Sequence, residues 1–385
     1  MDKEQILHNA YVVLPDKVLF GSMVIAGEKI IEIDEGPYFG KNGIDCKGDY
    51  LIPGLIELHT DNLEKHIVPR PGIYWPSMAA SIIAHDNQVF NSGITTVLDA
   101  IALGFSDTNE ARSKIMDRSI AAVQYAQSRK LVRADHFLHL RCELPSATVL
   151  DSFCAHKDEP LLKLVSVMDH TPGQRQWRDL PKWRLYHRDK KWTDEDAQSV
   201  IDQKRALQQT YGHDNLIKIV EICRKIKIPI ASHDDTTIEH CQDAWENSIT
   251  ISEFPTTLEA AQKAKSLGMS TIMGAPNMVR GESHSGNISA QALAKRGLLD
   301  GFSSDYMPIS LLHSAFELHR NLGLPLFSSM AMVTANTAKM VNLSDRGVLE
   351  KGKNADIIRV QLMDDLPIVK TIWKNGRLIL NSSVI

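Results

Sequence analysis

The 385-residue sequence has no long hydrophobic run. No window approaches the roughly 20 consecutive apolar residues that a membrane-spanning helix needs. The first residues, MDKEQILHNAYVV, also lack the basic segment and apolar core of a secretory leader. These absences predict a soluble, cytoplasmic protein with no membrane partner.

An excess of charge of one sign is missing as well. The sequence has 43 Lys and Arg residues against 47 Asp and Glu residues, a formal net charge of -4. No overall positive field therefore attracts nucleic acid, and we predict no nucleic-acid partner. Any anion-binding site has to be local.

Cysteine is sparse and unpatterned. The five residues are odd in number and form no CxxC pair: Cys46, Cys142, Cys154, Cys223 and Cys241. Neither a disulfide framework nor a cysteine zinc site fits this spacing. We therefore expect reduced thiols that are mostly buried.

Both ends of the sequence have a β-like texture. Residues 7–50 alternate short apolar segments with turns, and the same texture returns from Gly347, where Asn375-Gly376 indicates a hairpin. Neither end is long enough for a stable sheet with its own core. We predict that residues 1–54 and 346–385 together form a small β-sandwich, and that residues 55–345 form a separate central domain.

In the central domain, strand-like runs alternate with helix-length stretches, which indicates βα units and a parallel sheet. The predicted strands are 55–59, 94–99, 136–143, 163–169, 228–233, 249–254, 270–275 and 300–305. Eight such units predict an α/β fold, a (β/α)8 TIM barrel with catalytic groups at the carboxyl ends of its strands.

Metal-competent side chains fall at these strand ends. His59 and Asp61 follow the run LIEL, and residues i and i+2 of a strand point the same way. Later segments end in Asp99, Glu143, Asp169 with His170, His233, Glu253 and Asp305. Ordinary solvated loop residues would not be expected to repeat at so many strand ends. We predict a centre for one or two divalent ions, Zn²⁺ or Mn²⁺, with the ligands His59, Asp61, Glu143, His233 and Asp305.

This layout resembles the amidohydrolase superfamily in its split sandwich, strand-five His and strand-eight Asp. Six blocks are further similar to the diphosphatases of the carbon-phosphorus lyase pathway, the PhnM family: ELHTDNLEKHIVPRPG, MDHTPGQRQ, HDD, SEFPTT, GAPNMVRGESHSGN and SSDYMP. The resemblance implies hydrolysis of α-D-ribose 1-methylphosphonate 5-triphosphate to the 5-phosphate and pyrophosphate. It also implies metal-binding or catalytic roles for the same five side chains.

Three positions depart from the superfamily's commoner pattern. Asp61 stands where a second His is usual, and Glu143 on strand three replaces a strand-four carboxylated Lys. Strand six ends in Glu253 instead of His. The number of ions and a ligand role for Glu253 therefore stay open.

Hydrolysis of a phosphoanhydride requires an activated water and neutralisation of phosphoryl charge. Our hypothesis is that metal-bound water attacks the α-phosphorus while Asp305 accepts its proton, with His233 and His170 as the other catalytic candidates. His170 and His284 could each be a metal ligand, an acid for the leaving group or a phosphate donor. The predicted groups that bind the triphosphate substrate are Lys65, His66, Arg70, Gln174, Arg175, Arg280 and His284.

The connection at 171–212 interleaves basic and aromatic residues. A connection of this length is often functional, so we predict a lid over the triphosphate, with a solvated or oligomer-contact face as the alternative. We also expect a homo-oligomer. Two other functions stay open: an amide or cyclic-amide hydrolase of the same superfamily, and a non-catalytic assembly module.

Overall fold

The computed structural model describes residues 4–40, 42–70, 72–104, 110–283 and 286–381. The strands are β1 (Gln5–Val13), β2 (Val18–Ala26), β3 (Lys29–Glu35), β4 (Ile44–Asp45), β5 (Tyr50–Pro53), β6 (Leu55–Thr60), β7 (Ile94–Leu103), β8 (Asp135–Glu143), β9 (Leu162–Met168), β10 (Ile230–His233), β11 (Ile251–Glu253), β12 (Ser270–Gly274), β13 (Gly301–Ser303), β14 (Ile357–Met363), β15 (Leu366–Lys374) and β16 (Arg377–Asn381). The helices are α1 (Asn62–Ile67), α2 (Met78–Asn91), α3 (Glu110–Ser128), α4 (Val149–His156), α5 (Leu180–Tyr186), α6 (Asp194–Leu207), α7 (His213–Ile226), α8 (Ile238–Glu246), α9 (Leu258–Ser266), α10 (Ala275–Arg280), α11 (Ala290–Ala294), α12 (Ser310–Leu322), α13 (Leu326–Ala331) and α14 (Ala335–Met340).

The strands of the two termini form one sheet. Its order is β16-β15-β14-β5-β1-β2-β3, and β4 pairs with β1. The register of β14 against β5 is antiparallel and places Ile358 opposite Ile52. Leu7, Met23 and Trp373 are buried together in its core. Neither terminus can build this core alone, which confirms the prediction of one β-structure made by both.

The second sheet contains β6 to β13 in chain order. Its strands run parallel, as in the pairing of β10 with β11, where His233 lies opposite Glu253. Thr60 and Asp305 form a parallel bridge, so the two outer strands of the sheet also meet. All six residues of β6 are buried, as expected for a parallel strand covered on both faces. The prediction of a (β/α)8 barrel is confirmed.

Contacts between Cα atoms divide the chain into two compact units. The first is Met1–Val97, Tyr125–His136 and Gly301–Ile385, and the second is Leu98–Gln124 and Phe137–Asp300. The first unit holds the terminal sheet with β6 and β13, and the second holds β9 to β12. These units do not follow the two sheets, so the predicted boundaries between residues 54 and 55 and between 345 and 346 stay a prediction.

Two strands end at other residues than predicted next to the site: β6 is one residue longer than the predicted 55–59, and β13 is shorter than the predicted 300–305. β6 ends at Thr60, and Asp61 is the residue before α1. β13 ends at Ser303, and Asp305 lies beyond it with a positive φ of 54°. A left-handed residue interrupts the regular ladder of a strand, because its peptide groups turn out of the ladder.

The connection at 171–212 is folded. It contains short turns of helix at Arg175–Trp177, Arg188–Lys190 and Gln208–Gly212 together with α5 and α6. A small core of its own consists of Trp183, Ala197 and Ile201, with Trp177, Leu180, Trp192 and Val200 packed against it. Most of its tryptophans therefore contribute to folding, and the lid function stays a prediction.

Among the described residues, no helix combines the length and the apolar character required to cross a bilayer.

Candidate metal and substrate site

In the second unit, Glu143 ends β8 and is joined to His170, two residues beyond β9. The backbone N–H of His170 donates to Glu143 Oε1 at 2.8 Å, and its ring Nδ1 lies 2.5 Å from Oε2. Burial raises the pKa of Glu143, but the His170 charge and hydrogen bonds outweigh it and lower the pKa to about 2. Burial lowers the pKa of His170, and the Glu143 carboxylate more than reverses this effect. The pair therefore favours a carboxylate beside an imidazolium.

His233 ends β10 and is surrounded by carboxylates. Its Nδ1 lies 2.7 Å from Asp234 Oδ2, and its Nε2 lies 3.8 Å from Glu253 Oε2 at the end of β11. Asp234 Oδ2 is also 3.9 Å from His170 Nε2. Burial raises the pKa of Asp234, but His233 and then His170 lower it below its usual value. Asp234 thus links the two imidazoles.

This group has the donors for a divalent ion. His170, His233 and Asp234 each offer one ligand atom, and these atoms lie within 4.8 Å of one another. Imidazole nitrogen with carboxylate oxygen is the donor set that Zn²⁺ and Mn²⁺ accept. The residues present therefore fit a divalent metal, which agrees with the metal-dependent chemistry expected from the sequence.

In the first unit, His59 and Asp61 converge as the strand periodicity predicts. His59 Nε2 lies 3.7 Å from Asp61 Oδ1, with the imidazole buried and the carboxylate about one-third exposed. The fully buried Glu57 accepts hydrogen bonds from the backbone N–H of His59 at 2.7 Å and of Ser304 at 2.6 Å. Burial raises the pKa of Glu57 to about 7, although these hydrogen bonds lower it. Glu57 therefore fixes the end of β6 against the segment after β13.

Asp305 is held by backbone hydrogen bonds to the end of β6. Its N–H donates to the carbonyl of His59 at 3.1 Å, and its carbonyl accepts from Asp61 N at 3.2 Å and from Thr60 Oγ1 at 2.8 Å. These bonds fix the main chain of Asp305 beside both predicted ligands. The first unit therefore brings together His59, Asp61 and the main chain of Asp305, and the second relates Glu143 to His233 through His170, whose ring centroid lies 5.8 Å from that of His233.

Arg175 has its charge satisfied inside the protein. Its Nη1 donates to Asp235 Oδ1 at 2.9 Å and to the carbonyl of His233 at 2.8 Å. Only 19% of the Arg175 side chain is exposed, and the Asp235 side chain is fully buried. The structure thus anchors Arg175 to the end of β10.

The other predicted anion-binding groups are more accessible. Lys65 Nζ donates to the carbonyl of Tyr306 at 2.7 Å, and His66 Nε2 lies 3.2 Å from Gln88 Oε1. Arg70 is exposed, and 47% of the Arg280 side chain is exposed beside Glu282. Gln174 Nε2 is buried and has no hydrogen-bond acceptor within the part of the chain that the structure describes. His284 lies outside the described residues.

Sequence reasoning missed four buried polar residues near these strand ends. They are Glu57, His139, Asp234 and Asp235. His139 lies on β8 four residues before Glu143, and its Nε2 is 2.9 Å from Ser166 Oγ. The period of two along β6 and β8 could have found Glu57 and His139, and the acidic pair after His233 could have found the other two.

Comparison with known proteins agrees with this architecture. A model of the amidohydrolase family matches residues 50–380. The chain is 41% identical over 375 residues to the alpha-D-ribose 1-methylphosphonate 5-triphosphate diphosphatase of Escherichia coli (strain K12), which covers 97% of this chain and 99% of that protein. The resemblance read from the six sequence blocks is confirmed.

Solved structures share the fold at low sequence identity. A Xaa-Pro dipeptidase with bound methionine superposes with a TM-score of 0.66 and 16% identity, over 98% of this chain and all of that chain. N-acetylglucosamine-6-phosphate deacetylase from Pasteurella multocida gives a TM-score of 0.64 and 13% identity over the same shares. By its family match, its close relative and its fold, the chain belongs to the amidohydrolase family.

Proposed function

We propose that this chain hydrolyses α-D-ribose 1-methylphosphonate 5-triphosphate to the 5-phosphate and pyrophosphate, as a step of phosphonate catabolism. The observation that carries the proposal is the 41% identity to the Escherichia coli diphosphatase along almost the whole of both chains. The acidic and imidazole groups at the strand ends support it, because they suit a reaction that needs a metal and a proton acceptor.

We assign the metal to His59, Asp61, Glu143, His233 and Asp305, with Zn²⁺ or Mn²⁺ as the ion. Asp234 offers a further donor beside His233. When bound, a divalent ion would supply charge neutralisation for the phosphoryl oxygens and a water activated at neutral pH.

Asp305 is the proposed acceptor for the proton of the attacking water. Its main chain is fixed by hydrogen bonds to His59 and Asp61, which orients a carboxylate without a long flexible side chain. A carboxylate within reach of the attacking water can accept its proton as the nucleophile attacks, as general base catalysis requires.

His170 is the proposed acid for the departing pyrophosphate. Burial lowers the pKa of the His170 imidazole, but the Glu143 carboxylate outweighs this effect and raises the pKa, which favours the protonated form. The Nε2 atom faces Asp234 and the Nδ1 atom faces Glu143, so the ring is oriented from both sides.

The triphosphate is proposed to bind through accessible donors. Lys65, His66, Arg70, Arg280 and His284 provide positive charge or N–H donors, and the buried Gln174 amide provides a donor with no acceptor among the described residues. Guanidinium groups suit this substrate because they bind phosphate oxygens in pairs. The connection at 171–212 is proposed to cover the bound triphosphate.

We also place the enzyme in the cytoplasm as a homo-oligomer. All five cysteines are free thiols, as in a reducing compartment, and α5 exposes Leu185 and Tyr186 by 62% and 66%. Light scattering coupled to gel filtration would test the oligomer.

Phosphorus NMR of the metal-loaded protein with the ribosyl triphosphate tests the reaction. Pyrophosphate should appear, and in ¹⁸O water the label should enter the 5-phosphate product. Orthophosphate would indicate attack at the γ-phosphorus and would contradict the proposal. No reaction, together with turnover of a cyclic amide, would favour the amide hydrolase.

A further inference from the structure

The Asp235 carboxylate joins three consecutive segments of the parallel sheet. Oδ2 accepts hydrogen bonds from Ser232 Oγ on β10 and from Ser252 Oγ on β11, the latter at 2.7 Å. Oδ1 accepts from Arg175, in the turn that follows β9, at 2.9 Å. The side chain is fully buried, so bulk solvent does not compete with these hydrogen bonds.

Arg175 adds a second bond that acts on the main chain of the site. The same Nη1 atom donates to the His233 carbonyl at 2.8 Å, at the last residue of β10. The next residue, Asp234, has a positive φ of 57° and donates its N–H to the Glu253 carbonyl at 2.9 Å. The direction of the His233 imidazole depends on this turn, because the backbone at 233–235 sets its Cα–Cβ bond.

We propose that Arg175 is a positioning residue for His233, acting through the Asp235 carboxylate and the His233 carbonyl, and is not a ligand of the substrate's phosphates. The inference rests on the proposed function only for what His233 does in catalysis. It changes the role expected for Arg175 from the sequence.

Electrostatics supports this role over phosphate binding. A buried carboxylate requires a charged or hydrogen-bonded partner, and Asp235 has Arg175 as its guanidinium partner at salt-bridge distance. A guanidinium that moved toward a phosphate would leave this carboxylate without its cation. The exposed Arg280 carries no such constraint from a buried acid among its described contacts.

The test compares Arg175→Lys, Arg175→Gln and Asp235→Asn with the wild type. We expect both arginine variants and the aspartate variant to bind Zn²⁺ or Mn²⁺ about 10–100-fold more weakly, as removal of a residue that orients a metal ligand does. Metal affinity is measured by chelator competition without substrate. In metal-saturated protein, kcat should fall while KM for the triphosphate changes less than about twofold.

A double variant, Arg175→Gln with Asp235→Asn, separates the two roles further. If the residues act as one unit, the double variant should lose no more metal affinity than the worse single variant. Ser252→Ala, which removes one donor to Asp235, should give a smaller loss in the same direction and keeps the test usable if Arg175→Gln does not fold. Arg296→Gln is the matched control, since its guanidinium also donates to a backbone carbonyl, that of Ala292 at 2.9 Å, but on the exposed end of α11.

Two results would overturn the proposal. A raised KM with unchanged metal affinity in the Arg175 variants, not reproduced by Asp235→Asn, would make Arg175 a phosphate ligand. Unchanged metal affinity and unchanged kinetics in all variants would remove it from the site. If the wild type does not hydrolyse the triphosphate, the proposed reaction fails, but the metal-affinity series still decides the role of Arg175.

Discussion

Asp305 combines an unusual backbone conformation with a proposed proton-accepting carboxylate. Asn tolerates the left-handed region at least as well as Asp, so Asp305→Asn changes the charge and spares the backbone. We predict that turnover of the metal-saturated protein falls roughly 10²–10⁴-fold, the usual contribution of a general base, while the four other proposed ligands retain the ion. Steady-state kinetics and elemental analysis measure the two effects.

Asp364→Asn is the control for Asp305→Asn, because Asp364 also has a positive φ, 48°, but is exposed between β14 and β15 of the terminal sheet. Its kinetics should match the wild type. Near-normal turnover of Asp305→Asn would remove Asp305 from the reaction.

The five thiols should differ sharply in reactivity. Burial raises the pKa of Cys46 to about 11 and of Cys223 and Cys241 to about 12, and it raises that of Cys142 well above its usual value. Cys154 is exposed. Because the thiolate is the reactive form, one equivalent of a disulfide reagent should react rapidly at pH 8 and five should react in denaturant.

Cys154→Ser tests the assignment of the fast thiol. The variant should lose the rapid phase and keep the slow ones. A rapid phase of two or more equivalents in the native wild type would contradict the burial of the other four cysteines.

At the residue scale, the sequence revealed side chains whose position repeats a simple period. Strand alternation predicted the convergence of His59 with Asp61, although Asp61 lies just beyond the end of β6. The partners of Arg175 did not, because a long side chain can reach several acceptors and its choice depends on where the turn at 233–235 places Asp235 and the His233 carbonyl. Positive charge near a predicted anion site was therefore not enough to assign a role.

The folded connection at 171–212 depends on one aromatic side chain. Trp183 is 2% exposed and packs with Ala197 and Ile201. We predict that Trp183→Ala removes about 3–5 kcal/mol of packing free energy and makes amides of α5 and α6 exchange much faster. Hydrogen exchange followed by mass spectrometry would locate the change.

Trp245→Ala is the matched control for Trp183→Ala, since 49% of Trp245 is exposed on α8. Amide hydrogen exchange in Trp245→Ala should resemble that of the wild type throughout the protein. If α5 and α6 keep their protection in Trp183→Ala, the small core does not hold the connection together.

At the element scale, strand number and order were predictable and the strand ends were less so. Apolar runs mark buried strands, and each of the eight predicted segments overlaps one of the strands β6 to β13. The left-handed backbone conformation of Asp305 could not be predicted from the tripeptide Ser303-Ser304-Asp305. Asp occupies that conformation only where neighbouring hydrogen bonds stabilise it.

In the first unit, Lys374 connects distant parts of the chain through buried charges. Its Nζ donates to Asp135 Oδ2 and to Asp356 Oδ2, both at 2.7 Å, and its side chain is 6% exposed. We predict that Lys374→Met lowers the free energy of unfolding by about 3–5 kcal/mol at pH 7, because it leaves the buried Asp356 carboxylate without its cation and leaves Asp135 with Arg346 alone. Urea unfolding measures the loss, and Lys351→Met on an exposed turn should show little.

The effect of Lys374→Met should depend on pH. Burial raises the pKa of Asp135, but Lys374 and Arg346 outweigh it and lower the pKa below its usual value. The pair therefore stabilises the fold above the unfolded-state pKa, about 4, and this stabilisation is lost as the pH falls through the lower folded-state pKa. The difference between wild type and variant should shrink below pH 4; a difference that grows there would contradict this account.

At the scale of the whole molecule, the family blocks and the two β-like ends predicted the architecture without any single strong motif. The division into compact units was not predictable, because it depends on how many contacts β6 and β13 make with segments far away in the sequence. Apolar periodicity identifies what is buried but not against which distant segment it packs.

The sheet shared by the two termini has a consequence for synthesis. β14 pairs with β5, and Trp373 belongs to the core formed with β1 and β2. During synthesis, β1, β2 and β5 therefore cannot complete their sheet and core until β14 and β15 have been translated. A nascent chain that stops before residue 357 exposes the apolar faces of β1, β2 and β5. Premature termination therefore yields an aggregation-prone substrate for proteases, and quality control can remove it before it competes with the finished enzyme.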